Sequence, residues 1–362
     1  MSTKDLPLLY PEKTERHENC RPPKEAYFFI PSQDDKIFYD NQNPKSTRRK
    51  IFDIKEDYLE YEKSTIDLLK EYIQNLINKG EEELKETSEW TDGDLLRFHQ
   101  STSFKIPNTI KLLKEHLQWK KSSIFPLELN ENISNIFNSG FAYVHGRDNH
   151  FRPIIIVRAK TFLKIKDVYE FDDIVKAIIY FIEYIITYML IPGQVENWNI
   201  IIDLNDVSIF SIPDSLMKIF KILQANYRAR LNSMFILGMT GFLNALWTIV
   251  KSFLDSNTQK KIKIIKENAK YEMFEFINNE QLEKKYGGLS ENLEDSSVGY
   301  FPPYMPSDNY LKLNDVKEEL LIEEDQYVDA LSMGIISQVS PYMSEKIKKR
   351  ESILSVSKYD GN

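Results

Sequence analysis

The chain has 362 residues, 42% apolar and 28% charged, with 21 Phe, 20 Tyr and 4 Trp, which is enough for about two domains and too aromatic for a disordered chain. Acidic residues outnumber basic ones to leave a net charge of −8, so there is no global basic footprint for nucleic acid. One cysteine, Cys20, excludes an internal disulfide framework and a multi-cysteine zinc site, and 12 glycines leave little material for glycine-rich phosphate loops.

The first ten residues carry neither a long apolar run nor a small-residue cleavage site, so no secretory signal is expected and the reading is cytoplasmic. Residues 1–53 hold several prolines and polar runs and are predicted to form a flexible N-terminal extension. It ends in the basic run 45–50 (KSTRRK), which could attract an anionic membrane but reads more simply as a solvated tail. Residues 54–125 are predicted to be a small helical domain. Apolar residues recur at helical spacing from Ile54 to Ile77, a second helix starts near Asp94, and Pro107 opens a third through Trp119.

Past Pro126 the pattern changes to strands alternating with helices, and residues 126–290 are read as a second domain. Strands are expected at 141–145, 152–159, 199–204, 234–239 and 262–265, and helices at 172–190, 214–227, 242–254 and 271–278. The triple-Ile runs suit strands covered on both faces, so the fold class is α/β with a largely buried sheet. The apolar run 174–191 contains Lys176 and Glu183, which are costly inside a bilayer, so it reads as a buried helix rather than a membrane span. Residues 291–362, with an acidic stretch at 317–325 and a basic one at 345–350, form a C-terminal extension.

Enzyme signatures fail. The chain has no Gly-x-x-x-x-Gly-Lys-Ser/Thr loop, no Gly-x-Gly-x-x-Gly after a strand and no Gly-x-Ser-x-Gly elbow. His145 and His150 flank a turn without a third ligand at metal spacing, so no metal and no catalytic residue is expected.

Two helices are more informative. Tyr180, Tyr184 and Tyr188 are four apart and share one face of the predicted 172–190 helix, next to Glu183 and Thr187. Burying Glu183 unpaired would cost several kcal/mol. Either it pairs with Lys176 or Lys218 at a helix–sheet boundary, or the stripe is a polar track along an apolar chamber that holds a ligand with one polar end. The 242–254 helix (FLNALWTIVKSFL) is apolar over far more than the ~100° stripe of an ordinary surface helix. The segment after it carries Lys260, Lys261, Lys263 and Lys266, and an apolar helix beside a basic patch is the sequence form of interfacial lipid recognition.

Six short motifs then follow in order. They are Leu95-Leu96-Arg97-Phe98 with Trp119-Lys120; Phe151-Arg152-Pro153-Ile154-Ile155-Ile156; Ile201-Ile202-Asp203-Leu204; Tyr227-Arg228-Ala229-Arg230 with Phe235-Ile236-Leu237; Phe253-Leu254-Asp255 with Thr258, Lys261 and Ile262; and Tyr286-Gly287-Gly288. This order resembles the CRAL-TRIO lipid-binding family, which includes phosphatidylinositol and phosphatidylcholine transfer proteins and tocopherol and retinaldehyde carriers. The resemblance implies an α/β/α sandwich with a hydrophobic pocket, closed by a mobile helix and preceded by a small helical domain. It makes 242–254 the gate, with Phe242, Leu246, Trp247, Val250 and Phe253 on it, and puts Lys261 where the family has a lysine contacting lipid phosphate. Tyr180, Glu183, Tyr184, Tyr188, Trp198 and Ile200 are the further ligand-binding candidates, and Lys260, Lys263 and Lys266 the membrane-facing basic ones.

The chain departs from the family at the headgroup. Ala229 stands where inositol-lipid binders have a glutamate, His99-Gln100-Ser101-Thr102 replaces their basic residues, and Trp198 and Ile200 replace the hydroxyl residues of choline-lipid binders. The expected function is binding and intermembrane transfer of a hydrophobic lipid, most simply a phospholipid, with transient peripheral membrane association and no cofactor. The alternative is a non-transferring regulatory or scaffold module with a closed or vestigial pocket.

Overall fold

The structure, a computed structural model, describes residues 20–23, 26, 29–39, 47–122, 127, 129–207, 214–239, 247–248, 251, 254, 256–295 and 299–304. A short helix α1 (Gln33–Lys36) is opened by a capping box between Ser32 and Asp35 and leads into a two-stranded antiparallel pair, β1 (Ile37–Phe38) and β2 (Arg48–Arg49). The helical region follows as α2 (Glu60–Asn78), α3 (Asp92–Ser101) and α4 (Ile106–Lys120). Thr91 and Asp94 form the capping box of α3, and Pro107 sits in the first turn of α4, where its missing N–H costs nothing. Leu69 and Ile73 of α2, Leu95 and Phe98 of α3, and Leu113 and Leu117 of α4 share one core.

Beyond α5 (Glu131–Asn138) come β3 (Ala142–Arg147), β4 (Pro153–Arg158), α6 (Ala159–Ile165), α7 (Phe171–Tyr188), β5 (Trp198–Asp203), α8 (Asp214–Asn226), β6 (Leu231–Leu237), α9 (Ser256–Lys260) and β7 (Ile262–Ile264). They build a five-stranded sheet of order β3-β4-β5-β6-β7, antiparallel at β3–β4 and parallel thereafter. The α/β class expected from the alternating pattern is therefore the one observed. Where a helix was expected at 271–278, the chain forms a 3-10 stretch, Glu267–Glu275.

Period-two alternation divides the sheet into two different faces. Ile154, Ile156, Ile201 and Phe235 point to one side, onto Met273, Ile277, Leu282 and Tyr286. Ile155 and its register partner Ile200, with Val157 and its partner Ile202, belong to the other side, which is covered by α7 and α8. Asp172 and Asp173 in the first turn of α7 complement the helix dipole.

One expectation is corrected by the packing. The described part of the 1–53 extension is folded onto the rest: Cys20, Ala26, Ile37, Ile51 and Phe52 are all buried. Arg49 forms a buried pair with Glu62 at 2.6 Å, and Gln194 donates to the carbonyls of Ala26 and Phe29. These anchors are isolated apolar or charged residues in polar surroundings, so they leave no periodic pattern to read. In the C-terminal extension, Phe301 is likewise buried, stacked on Phe137 at 4.4 Å. The stretches 317–325 and 345–350 lie outside the described residues.

Candidate functional site

Between the sheet and helices α7 and α8 lies a cavity of about 1190 Å³, larger than the ~300–1,000 Å³ of ordinary small-molecule sites. Its floor is the face of β4 and β5 carrying Ile155, Val157, Trp198, Ile200 and Ile202. Ile178, Phe181 and Ile182 of α7 and Leu216, Ile219, Phe220 and Leu223 of α8 form the walls, with Trp247 and Leu254 completing them. Among the described lining residues there is no carboxylate. The charged ones are all cations: Arg48, Arg49, Lys50, Arg97, Lys221, Arg228, Arg230, Lys260, Lys261 and Lys263. In a chain of net charge −8, that is a strong local reversal of sign.

The carboxylates lie one layer back. Glu196, 1% exposed, pairs with Arg97 and accepts the backbone N–H groups of Phe52, Asp53 and Gly193 at 2.9, 2.9 and 2.8 Å. Its backbone carbonyl accepts from Arg230 at 3.0 Å. Arg97 lies 4.2 Å from the Phe52 ring, and its buried Nε and Nη1 have no hydrogen-bond partner among the described residues. Gln100 is spent on the backbone of Arg49, accepting its N–H at 2.7 Å and donating to its carbonyl. Ala229 occupies the turn between α8 and β6 with φ +56°, a left-handed conformation costing roughly 1–2 kcal/mol for a residue other than glycine. Its carbonyl accepts from Asn197 at 2.7 Å.

Burial first, and the neighbouring Glu196 next, push the Asp53 carboxyl from its ordinary 3.8 up to about 7. The folded chain therefore keeps a proton that the unfolded chain releases near 3.8. The associated stability is complete below that value and is lost as pH rises through about 7. Burial also pulls His99 and His116 down to about 4, giving an opposite, rising contribution between about 4 and 6.5. Comparing wild type with Asp53→Asn cancels the histidines. Urea midpoints measured from pH 5 to 8 are expected to show a falling contribution in wild type that the variant lacks, and parallel profiles would overturn this assignment.

The structure places the candidate residues unevenly. Trp198, Ile200, Trp247, Lys260, Lys261 and Lys263 line the cavity. Lys261 reaches back to donate to the Leu231 carbonyl at 2.5 Å, and exposed Lys260 lies 5.7 Å from the Phe38 ring. Lys263 differs from expectation: its ammonium sits 3.5 Å from the Phe276 ring centre and 6.0 Å from that of Phe235, a residue of the opposite sheet face. Lys266 is exposed and is not a lining residue. Phe242, Leu246, Val250 and Phe253 lie outside the described residues.

The tyrosine stripe is corrected. Tyr180, Tyr184 and Tyr188 do share a face of α7, but not the cavity face, which carries Ile178, Phe181 and Ile182. Tyr180 and Tyr184 pack on Phe301, and the tilted rings of Tyr184 and Tyr188 have centres 4.8 Å apart. The Tyr184 hydroxyl meets the Cys20 thiol at 2.9 Å. Helical spacing shows which residues lie together, whereas the packing partners decide which way they face. Glu183 also lies behind the wall. It accepts a 2.6 Å hydrogen bond from Tyr227, which does line the cavity; the expected pairing with Lys176 or Lys218 is replaced by this bond, and exposed Lys218 lies over Phe171. Burial raises the Glu183 pKa, opposed by the Tyr227 hydroxyl.

Sequence reasoning missed Arg49 and Arg230 as members of the polar end. Arg49 lay in the basic run 45–50, which was the available signal.

Comparison with known proteins agrees with this architecture. A mixed sheet with helices over one face and a large apolar cavity beneath them defines an α/β ligand-binding class. Residues 137–288 match the CRAL/TRIO domain, so that segment is similar to the CRAL-TRIO family. It is 29% identical over 195 residues to Protein real-time of Anopheles gambiae, covering 48% of this chain and 28% of that one. It is 24% identical to the phosphatidylinositol/phosphatidylcholine transfer protein SFH9 of Arabidopsis thaliana (54% and 36%), and 25% identical to Clavesin-1 of Rattus norvegicus (54% and 57%). The match thus spans 28–57% of these relatives. The crystal structure of Sfh5 shares the fold, with a TM-score of 0.51 at 14% identity, over 67% of this chain and 93% of that one. Among the described residues, no helix is long and apolar enough to cross a membrane.

Proposed function

We propose that this chain binds one phospholipid in the cavity and exchanges it with membranes, without a catalytic step. One observation carries the reading: an apolar chamber of about 1190 Å³ ends in cationic side chains with no carboxylate among its described lining residues. Acyl chains gain about 0.8 kcal/mol per methylene on leaving water, and the sheet floor and α7 wall provide the apolar surroundings. A phosphate at the polar end would satisfy the unmatched donors of Arg97 through charge-assisted hydrogen bonds. The transfer activity in the name of the Arabidopsis relative supports the same reading. The open volume supports a carrier over a module with a collapsed pocket.

Native mass spectrometry of the purified chain, with lipid identification, tests this directly. One bound phospholipid per chain is expected, together with transfer of a fluorescent phospholipid between vesicles; a chain that neither co-purifies with lipid nor takes it up overturns the reading. Lys261→Ala is expected to lower phospholipid loading about tenfold, the size of one hydrogen bond to a charged group. Unchanged loading would retire Lys261 as a headgroup contact.

A further inference from the structure

We propose that Phe38, Tyr39 and Tyr61, with Arg48, Lys50 and Lys260, form a rigid docking patch at the cavity rim for an anionic bilayer surface. The inference deepens the reading above, from which it takes the membrane as the source of lipid. Apart from Lys260, the patch comes from the N-terminal segment and α2, outside the matched residues 137–288.

Three large aromatic side chains stand in solvent there: Phe38 is 38% exposed, Tyr39 47% and Tyr61 43%. Arg48 is the register partner of Phe38, and Lys260 lies over the Phe38 ring. Tyr61 precedes Glu62, whose 2.6 Å pair with Arg49 of β2 holds the start of α2 against the strand carrying Arg48, and Tyr39 lines a surface groove with Phe38 and Lys50. Phe38, Arg48, Lys50 and Lys260 line the cavity as well, so the patch is continuous with the path a lipid would take.

Charge selects the partner. Among the described residues, the buried or half-buried carboxylates nearby are already paired: Asp35 to Arg152 and His150, Asp57 to Lys36, and Glu62 to Arg49. Asp34 shares the groove with Phe38, Tyr39 and Lys50, its backbone carbonyl accepting from Lys50. Amphipathic aromatics flanked by cations fit the headgroup layer of an anionic membrane, where rings sit at the interface and each basic group gains from the surface potential. The patch is also pre-ordered. The Ser32–Asp35 capping box, the Lys50 N–H bond to the Lys36 carbonyl at 2.7 Å and the buried Arg49–Glu62 pair hold it without a ligand. Such preorganisation lowers the entropic cost of docking.

The test is sedimentation of the full chain with vesicles of phosphatidylcholine, with or without phosphatidylserine, alongside Tyr39→Ser/Tyr61→Ser; neither tyrosine lines the cavity. Wild type is expected to bind the phosphatidylserine vesicles, less so as salt rises. The double variant is expected to bind about tenfold more weakly, since burying one aromatic side chain contributes at least that much, while its native-mass lipid content stays at the wild-type level. Equal sedimentation of variant and wild type, equal binding to both vesicle types, or no binding to either overturns the patch. The first of these is also the result expected of a protein-docking surface. If the double variant fails to fold, Tyr39→Ser alone carries the same comparison. A chain that carries lipid yet ignores vesicles loses this patch and keeps the carrier reading; one that sediments through these residues but never holds lipid does the reverse.

Discussion

Val157→Trp is expected to abolish phospholipid loading while leaving the chain folded. Val157 sits on β4 opposite Ile202 of β5, and both line the cavity floor. An indole there would project into the space reserved for acyl chains. Overpacking a filled core usually costs about 1–3 kcal/mol through forced rotamers and backbone shifts. Here about 1190 Å³ of open volume can take the larger side chain, so the cost falls on the ligand instead. Ile200→Trp, on the same face, should behave alike. Native mass spectrometry is expected to show lipid occupancy reduced by more than about tenfold, the equivalent of roughly two methylenes' burial. The unfolding transition should remain cooperative. A folded variant that still carries a full lipid complement would show that the chamber is not where the ligand lies.

Glu196→Ala is expected to cost about 3–5 kcal/mol of stability, the range for stranding one partner of a buried ion pair. The Arg97–Glu196 pair is 5% and 1% exposed. Removing the carboxylate also strips acceptors from the N–H groups of Phe52, Asp53 and Gly193. Those contacts join three parts of the chain: the N-terminal segment, α3 through Arg97, and the turn before β5. Urea unfolding should show a lower midpoint with little change in slope, since the folded surface changes little. A loss below about 1 kcal/mol, the scale of an exposed pair, would mean that this junction is not a buried one. Because Arg97 belongs to the polar end of the cavity, the surviving folded fraction of Glu196→Ala is also expected to load lipid poorly.

Both predictions draw on features that the sequence made visible to different degrees. The triple-Ile runs pointed to β4 and β5, because continuous β-branched apolarity over a few residues suits strands covered on both faces. Trp198, Ile200 and Lys261 were assigned to the ligand through the family resemblance, and each lines the cavity. The tyrosines of α7 were misread because a regular spacing of four defines a face without saying what that face meets. Tyr184 meets Cys20 and Phe301, residues 164 and 117 positions away in the chain.

The sequence by itself determined the α/β class, the positions of the five strands and of helices α7 and α8, and the absence of any recognisable enzyme signature, because these follow from local periodicity and from motifs a few residues long. Only the tertiary structure decided which cations converge. Arg49, Arg97, Arg230 and Lys261 come from four separate segments, and their carboxylate partners Glu62 and Glu196 turn out to stand behind the wall rather than on it. Long-range placement of charge leaves no periodic trace along the chain, since it depends on how layers pack and not on what neighbours a residue in sequence.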